Sequence, residues 1–502
     1  MSNELQGEER DFFRLVAHAG FINQFSEKRR ELEAEIAGTP AATRRKQRTD
    51  KFLGAIRDRI AGLETRHMGS LEAFSGEDRE IIKKVFLVEL FYRFKDHFDE
   101  LIDAQAETDP PPLKIPFYNE LYSAMVMRGF TEEDFRHYFA LGYQIRRAFY
   151  FIDRNLIGNS ESMKTLRLKL WNNVFTHDID IYDRYLRHRM EDFSTLILGE
   201  TGTGKGSAAM AIGRSGYIPL DRRRKALAES FTRSFVSLNL SQFPETLIES
   251  ALFGHKKGSF TGAIEDNPGA FELCSPYGAI LLDEIGEVSR PVQVKLLQVL
   301  QERMFTPVGS RKSSRFEGRV IAATNRPLEQ IRSGGLFRDD FYYRLCSDII
   351  TVPTLRQRIS EDENELKLLT RLTLRRLIGK PQAELAEMVQ GVIDAQLGSG
   401  YPWPGNVREL EQCIRGILLR GTYTGEASEA GGDINRELIS GIEEGSIDAA
   451  SLVSGYCRLL YQRYSNFEEV ARRTGLDRRT VKKYIQNWET GEEGGVKQEE
   501  YP

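Results

Sequence analysis

The sequence predicts an α/β domain with a parallel sheet and a phosphate loop, flanked by an all-α N-terminal region and a C-terminal helix-turn-helix. Three observations carry this. Short aliphatic runs at 194–198 (STLIL), 235–238 (FVSL), 279–282 (AILL) and 319–323 (RVIAA) are separated by helical patterns, the arrangement of parallel strands with helical crossovers. The first run leads directly into the glycine-rich string Gly199-Glu200-Thr201-Gly202-Thr203-Gly204-Lys205. Near the C-terminal end, 467–484 places Ala471, Gly475 and Val481 in the small–turn–apolar rhythm of two helices around a tight turn.

At about 150 residues per domain, 502 residues imply about three domains. The expected division is a helical region over 1–155, an α/β core over 156–355, a helical segment over 356–423, a linker over 424–445, and a DNA-binding end over 446–502 that finishes in an acidic tail. With 40% hydrophobic and 29% charged residues the composition is globular. No apolar run approaches the ~18 residues of a membrane helix, and the charged first residues, MSNELQGEER, carry no secretory pattern. Cys274, Cys346, Cys413 and Cys457 lie far apart, which excludes a disulfide framework or compact zinc site and fits a cytoplasmic protein. A net charge of −4 offers no global attraction to nucleic acid, so any DNA contact must come from a local basic patch.

Within the first region, Thr131 and Asp134 have capping-box spacing. Behind them Phe135, Tyr138, Phe139, Ile145 and Phe149 recur at helical intervals. They suit an aromatic pocket for a small ligand, or more commonly a core face. The proline run at 108–116 must be a non-helical connection. The basic run at 43–48 (TRRKQR) reads as a solvated face.

The chemistry sits after the strands. Backbone N–H groups of the 199–205 loop and the helix that follows suit phosphate oxygens, and Lys205 adds a point charge. The 279–282 run ends in Asp283-Glu284, where one acid suits Mg²⁺ and the other an attacking water. Together these predict ATP and Mg²⁺ as ligands, with Asp283 on the metal. Gly206 stands where the general pattern has a Ser or Thr hydroxyl for the metal, and Ser207 is one place too late.

Between these motifs, 247–263 (LIESALFGHKKGSFTGA) resembles the signature of bacterial enhancer-binding proteins, the AAA+ activators of sigma-54 RNA polymerase. The family loop GAFTGA is GSFTGA here: Gly258, Ser259, Phe260, Thr261, Gly262 and Ala263. A glycine-flanked Phe-Thr pair suits an exposed, mobile loop with an aromatic tip. The resemblance runs from about 156 to 419 and implies an AAA+ ATPase core with a helical lid. It implies that Asn239 restrains Glu284, the catalytic carboxylate, and that Thr324 and Asn325 sit beside the γ-phosphate as sensor I. Arg338 and Arg344 match its arginine-finger segment, reaching a neighbour's site in a ring homo-oligomer, a hexamer. Arg408, in 403–411 (WPGNVRELE), matches sensor II. Family members usually carry glutamate at the position of Gly206. Two stretches, 177–193 and 214–234, look like insertions at the rim.

The C-terminal helices also resemble the DNA-binding module of this family. Arg478, Arg479, Thr480, Lys482 and Lys483 are the expected contacts to double-stranded DNA. The resulting expectation is a DNA-bound ATPase that remodels sigma-54 RNA polymerase, with no membrane partner. The rival is a DNA-binding repressor or scaffold that binds ATP without productive hydrolysis.

Overall fold

Strands without polar interruptions must be covered on both faces. In the computed structural model, the four aliphatic runs are strands of one parallel sheet, three of them interior and the 235–238 run at one edge. It describes residues 4–108, 111–333, 335–380, 382–398, 400–425, 434, 438–439, 441–442, 445–464 and 466–490. The strands are β1 (Thr195–Leu198), β2 (Phe235–Asn239), β3 (Ala279–Asp283), β4 (Arg319–Thr324) and β5 (Asp348–Thr351), in the order β5-β1-β4-β3-β2. Alternate side chains enter two cores. Ile197, Leu281, Ile321 and Ile350 join the core shared with the N-terminal helices, while Leu196, Leu198, Ile280 and Leu282 join the core on the other face.

Register sets up the site. Asn239 pairs with Asp283, Ala323 with Asp283, and Leu198 with Thr324. All the strand ends that carry candidate residues therefore share the carboxyl edge of the sheet, where open α/β sheets bind ligands.

Among the described residues, eight helices of ten residues or more precede the sheet: α1 (Gly7–Phe21), α2 (Glu27–Ile36), α3 (Arg45–Thr65), α4 (Gly76–Arg93), α5 (Lys95–Glu107), α6 (Tyr118–Met127), α7 (Glu132–Asn155) and α8 (Glu161–Phe175). The capping box forms as expected at α7: Asp134 N donates to Thr131 Oγ1 at 3.1 Å, and Thr131 N to Asp134 Oδ2 at 3.0 Å. Phe135 and Phe139 are core residues. Tyr138, Ile145 and Phe149 are only partly covered and line a cavity. The basic run is not uniformly solvated, because Arg48 is buried against Glu33 at 3.1 Å.

Neither apparent insertion is a mere rim. The 214–234 segment forms a small hairpin (Leu220–Asp221 with Ala226–Leu227) and docks on the N-terminal helices. Arg147, wholly buried in α7, donates to the carbonyls of Arg214 at 2.8 Å and Gly216 at 2.6 Å, and Gln144 donates to that of Ser215 at 2.8 Å. The 177–193 segment pairs Asp180 with Lys84 and Asp183 with His137 and Arg187. Burial raises the Asp183 carboxyl, but His137 and Arg187 outweigh it and hold the pKa below the ordinary value.

A second compact unit comprises 391–400 and 415–502. In it, Ala449–Tyr464, Phe467–Thr474 and Arg478–Thr490 are helices around Cys457, Leu460, Val470, Val481 and Ile485. Gly475, at φ +71°, takes the left-handed turn between the last two. Of the linker expected over 424–445, the described residues are 424, 425, 434, 438–439, 441–442 and 445, and the acidic tail beyond 490 lies outside the described residues. Among the described residues, no helix is long and apolar enough to cross a membrane.

Candidate nucleotide site and associated loops

β1 delivers the chain into the glycine loop, and Lys205 opens the helix Lys205–Gly213. Gly202 (φ +79°) and Gly204 (φ +104°) adopt the left-handed conformation that glycine accepts without strain. A Cβ at Gly202 would lie 2.1 Å from the Gly405 carbonyl oxygen, so the lid approaches the loop too closely for any other residue. Thr203 Oγ1 donates to the Glu200 carbonyl at 2.8 Å. Lys205 is buried, and its Nζ donates to the carbonyls of Gly199 (2.9 Å) and Glu200 (3.3 Å). Burial lowers its pKa, against the pull of Glu284 and Asp283. Gly206 is exposed, with open space where a Cβ would stand.

Across the sheet edge, Glu284 sits at φ +55°, its N–H held by Asp283 Oδ1 at 3.1 Å. Asn325 spans the site: its backbone N–H donates to Glu284 Oε2 at 3.3 Å, and its carboxamide to Thr201 Oγ1 at 3.4 Å. Thr324 is fully buried, and its hydroxyl accepts from Arg326 N at 3.2 Å. Asn239 lies beside Asp283 in register, yet its side-chain oxygen accepts from Ser241 N (3.0 Å) and Oγ (2.7 Å). Among the described residues it makes no hydrogen bond to Glu284.

Sequence reasoning missed two members of this arrangement. Asn406, wholly buried at φ +53°, accepts from Leu355 N at 2.8 Å and donates to Glu200 Oε2 and the Thr201 carbonyl, both at 3.1 Å. Arg356 ion-pairs with Glu200. The lid therefore grips the phosphate loop at two points. Arg408 is exposed, with its Cβ 3.0 Å from where a Cβ on Gly202 would stand.

Arg338 and Arg344 do not join this cluster. Arg338 pairs with Asp340 at 2.8 Å on the surface, and Arg344 Nε donates to the Leu300 carbonyl at 3.0 Å.

The 258–263 loop is closed by hydrogen bonds from Gly258 N to the Ala263 carbonyl (2.8 Å) and from Ala263 N to the Phe260 carbonyl (3.0 Å). Gly258 and Gly262 take positive φ. Thr261 and Gly262 are exposed and Ala263 is buried. Phe260 is not a free aromatic tip: it packs edge-on against His255 at 4.9 Å and is half-buried. The hydroxyl of Ser259 is buried without a hydrogen-bond partner among the described residues.

In the second unit, Asp477 caps the last helix, its Oδ1 accepting from Arg479 N (2.8 Å) and Thr480 N (3.0 Å). Thr480 gives its hydroxyl to Asp477 at 2.5 Å and is tied into this cap. Arg478 pairs with Glu468 at 3.3 Å. Arg479, Lys482 and Lys483 are exposed and form no ion pair among the described residues.

Residues 177–351 match the family described as the sigma-54 interaction domain. The chain is 41% identical over 234 residues to the Nif-specific regulatory protein of Azotobacter vinelandii, covering 47% of this chain and 41% of that one. It is 37% identical over 277 residues to the DNA-binding transcriptional regulator NtrC of Rhizobium meliloti (strain 1021), covering 55% and 52%. It is 41% identical over 231 residues to the Sigma54-dependent transcriptional regulator SfnR of Pseudomonas fluorescens (strain Pf0-1), covering 45% and 56%. The matches thus span about half the length of these relatives. Glycine loop, paired strand-end acids and sheet order coincide with that matched stretch, and the chain carries an AAA+ sigma-54 interaction domain.

Proposed function

We propose that this protein is an ATP-hydrolysing transcriptional activator that binds DNA upstream of promoters and remodels sigma-54 RNA polymerase. The observation that carries the reading is the shared sheet edge, where Lys205, Asp283, Glu284 and Asn325 converge inside the sigma-54 interaction domain. The residues fit ATP and Mg²⁺. The glycine loop opens a helix N-terminus with positive φ at Gly202 and Gly204, and Asp283 offers a carboxylate at the same sheet edge, sufficient for a Mg²⁺ that takes its other oxygens from phosphate and water. When bound, Mg²⁺ neutralises charge on the phosphate oxygens.

Lys205 and the loop amides of 199–206 hold the phosphates, and Arg408 reads them from the lid. Glu284 takes the proton of the attacking water, and Asn325 N–H fixes that carboxylate's orientation. Thr324 supports the turn that carries Asn325. Asn239 answers the partner loop by exchanging its Ser241 bonds for Glu284. Arg338 and Arg344 act in a neighbouring copy, which makes hydrolysis depend on a ring, taken as a hexamer. The 258–263 loop contacts the sigma factor. Arg478, Arg479, Lys482 and Lys483 contact DNA, with Thr480 at the helix start. The working division remains 1–155, 156–355, 356–423, 424–445 and 446–502, and the setting is the cytoplasm.

Two measurements test the catalytic part. Glu284→Gln should bind ATP with wild-type affinity and lose hydrolysis; affinity lost in parallel contradicts the assignment. Rings mixed from Lys205→Ala and Arg344→Ala subunits should hydrolyse faster than either parent, and mixtures no better than the parents contradict the shared site.

A further inference from the structure

Apart from the nucleotide site, the N-terminal helices enclose a cavity of about 730 Å³ between α1, α2, α3, α4, α7 and α8. Its floor is aromatic. Phe25 stacks on Phe149 at 5.3 Å with the planes 7° apart, and the guanidiniums of Arg45 and Arg146 lie 4.8 and 5.0 Å from the Phe149 centroid.

Its wall is cationic beyond what the neighbouring carboxylates neutralise. Arg29 and Arg48, both buried, share the single carboxylate of Glu33 at 2.8 and 3.1 Å. Among the described residues, two further lining cations have main-chain partners only. Arg30 donates to the Ala41 carbonyl at 3.0 Å, and Arg167 to the carbonyls of Leu156 and Gly158, both at 2.9 Å. Neither pairs with a carboxylate among the described residues, and burial holds Arg167 below its ordinary pKa. Arg167 is half-buried without a counter-charge, which is costly, and Arg30 adds an exposed, unpaired charge at the rim; the counter-charge that fits here is one that arrives from outside.

We propose that this cavity binds a small organic anion: an aromatic or apolar body seated on Phe149, with one carboxylate or phosphate group that compensates the surplus guanidiniums. The site stands independently of the sigma-54 reading. It also has a direct route to the nucleotide site. Ile157, Gly158 and Asn159 form part of its wall, and the lid holds the same strap. Arg358 donates to the Ile157 carbonyl at 2.6 Å, Asn159 N donates to Glu365 Oε2 at 2.9 Å, and Arg358 pairs with Glu365 at 2.7 Å. A Cβ on Gly158 would collide with Glu365 Oε1 at 2.2 Å, so the strap has no slack there. The helix that carries Arg358, Leu355–Glu361, also carries Arg356, the partner of Glu200 in the phosphate loop.

Calorimetric titration of the full chain with 1-naphthoate and with 1-naphthyl phosphate tests the proposal, with 1-naphthamide as the uncharged isostere. At least one anion should bind saturably, one per chain, at least about tenfold tighter than the amide, and the two arms separate a carboxylate from a phosphate ligand. Arg30→Gln and Arg167→Gln should each weaken that binding about tenfold. Arg30 is exposed and its side chain makes one hydrogen bond among the described residues, so its variant keeps the fold. Absence of saturable binding by both anions, equal binding of the amide, or wild-type affinity in both variants would overturn the proposal.

Discussion

Asn406→Ala should loosen the lid's grip on the phosphate loop by about 3 kcal/mol. Leu355 N–H is buried, and Asn406 Oδ1 at 2.8 Å is its acceptor. Orphaning a buried donor costs about 1–3 kcal/mol, here taken near 2. Residue 406 also sits at φ +53°, where alanine is roughly 1 kcal/mol worse than asparagine. The donor side adds little, because Thr201 is exposed and Glu200 keeps Arg356, so water and the guanidinium replace the lost carboxamide. Amide hydrogen exchange reads the result locally and does not require the whole chain to unfold in one step. The 355–361 and 199–205 peptides should exchange roughly a hundredfold faster, since about 1.4 kcal/mol is tenfold. Asn406→Gly removes the strain contribution and should recover about 1 kcal/mol of the loss. Exchange within threefold of wild type for Asn406→Ala would refute the reasoning.

Other substitutions probe separate parts of the account. Ser259→Ala deletes a buried hydroxyl without a partner, so thermal unfolding should show a gain of up to about 1 kcal/mol; a clear loss would mean the hydroxyl is satisfied. Arg147→Met leaves the carbonyls of Arg214 and Gly216 without their donor, at about 3 kcal/mol, and limited proteolysis should cut 214–234 sooner. An unchanged cleavage pattern would deny that this contact holds the segment to the N-terminal helices. Arg479→Ala should weaken DNA binding by ~1–3 kcal/mol in a gel-shift titration while ATPase activity without DNA stays unchanged. Equal affinity would remove Arg479 from the contacts.

What the sequence made legible follows from range. Four of the sheet's five strands were readable because each is an aliphatic run, and the glycine loop and acid pair were readable because each abuts one. β5 escaped notice because only Ile349 and Ile350 are apolar between polar ends. Asn406 and Arg356 act on Glu200 across 206 and 156 residues, and no local pattern encodes such contacts. The same holds for 177–193 and 214–234, whose partners lie on α4 and α7. Phe260 looked like a free tip because His255 is its neighbour only after the loop closes. The bond from Thr480 to Asp477 was legible as well, because an Asp three residues before a Thr is a recognisable helix-start signal.

The central claim is that the 258–263 loop carries the nucleotide state to the sigma factor. Size-exclusion chromatography of the full chain with purified sigma-54 and an ATP transition-state analogue tests it most directly. The account expects co-elution that depends on the analogue, survives Ser259→Ala, and is lost in Phe260→Ala and Thr261→Ala. Wild-type protein that never co-elutes, or a Phe260→Ala variant that co-elutes as wild type does, would contradict it.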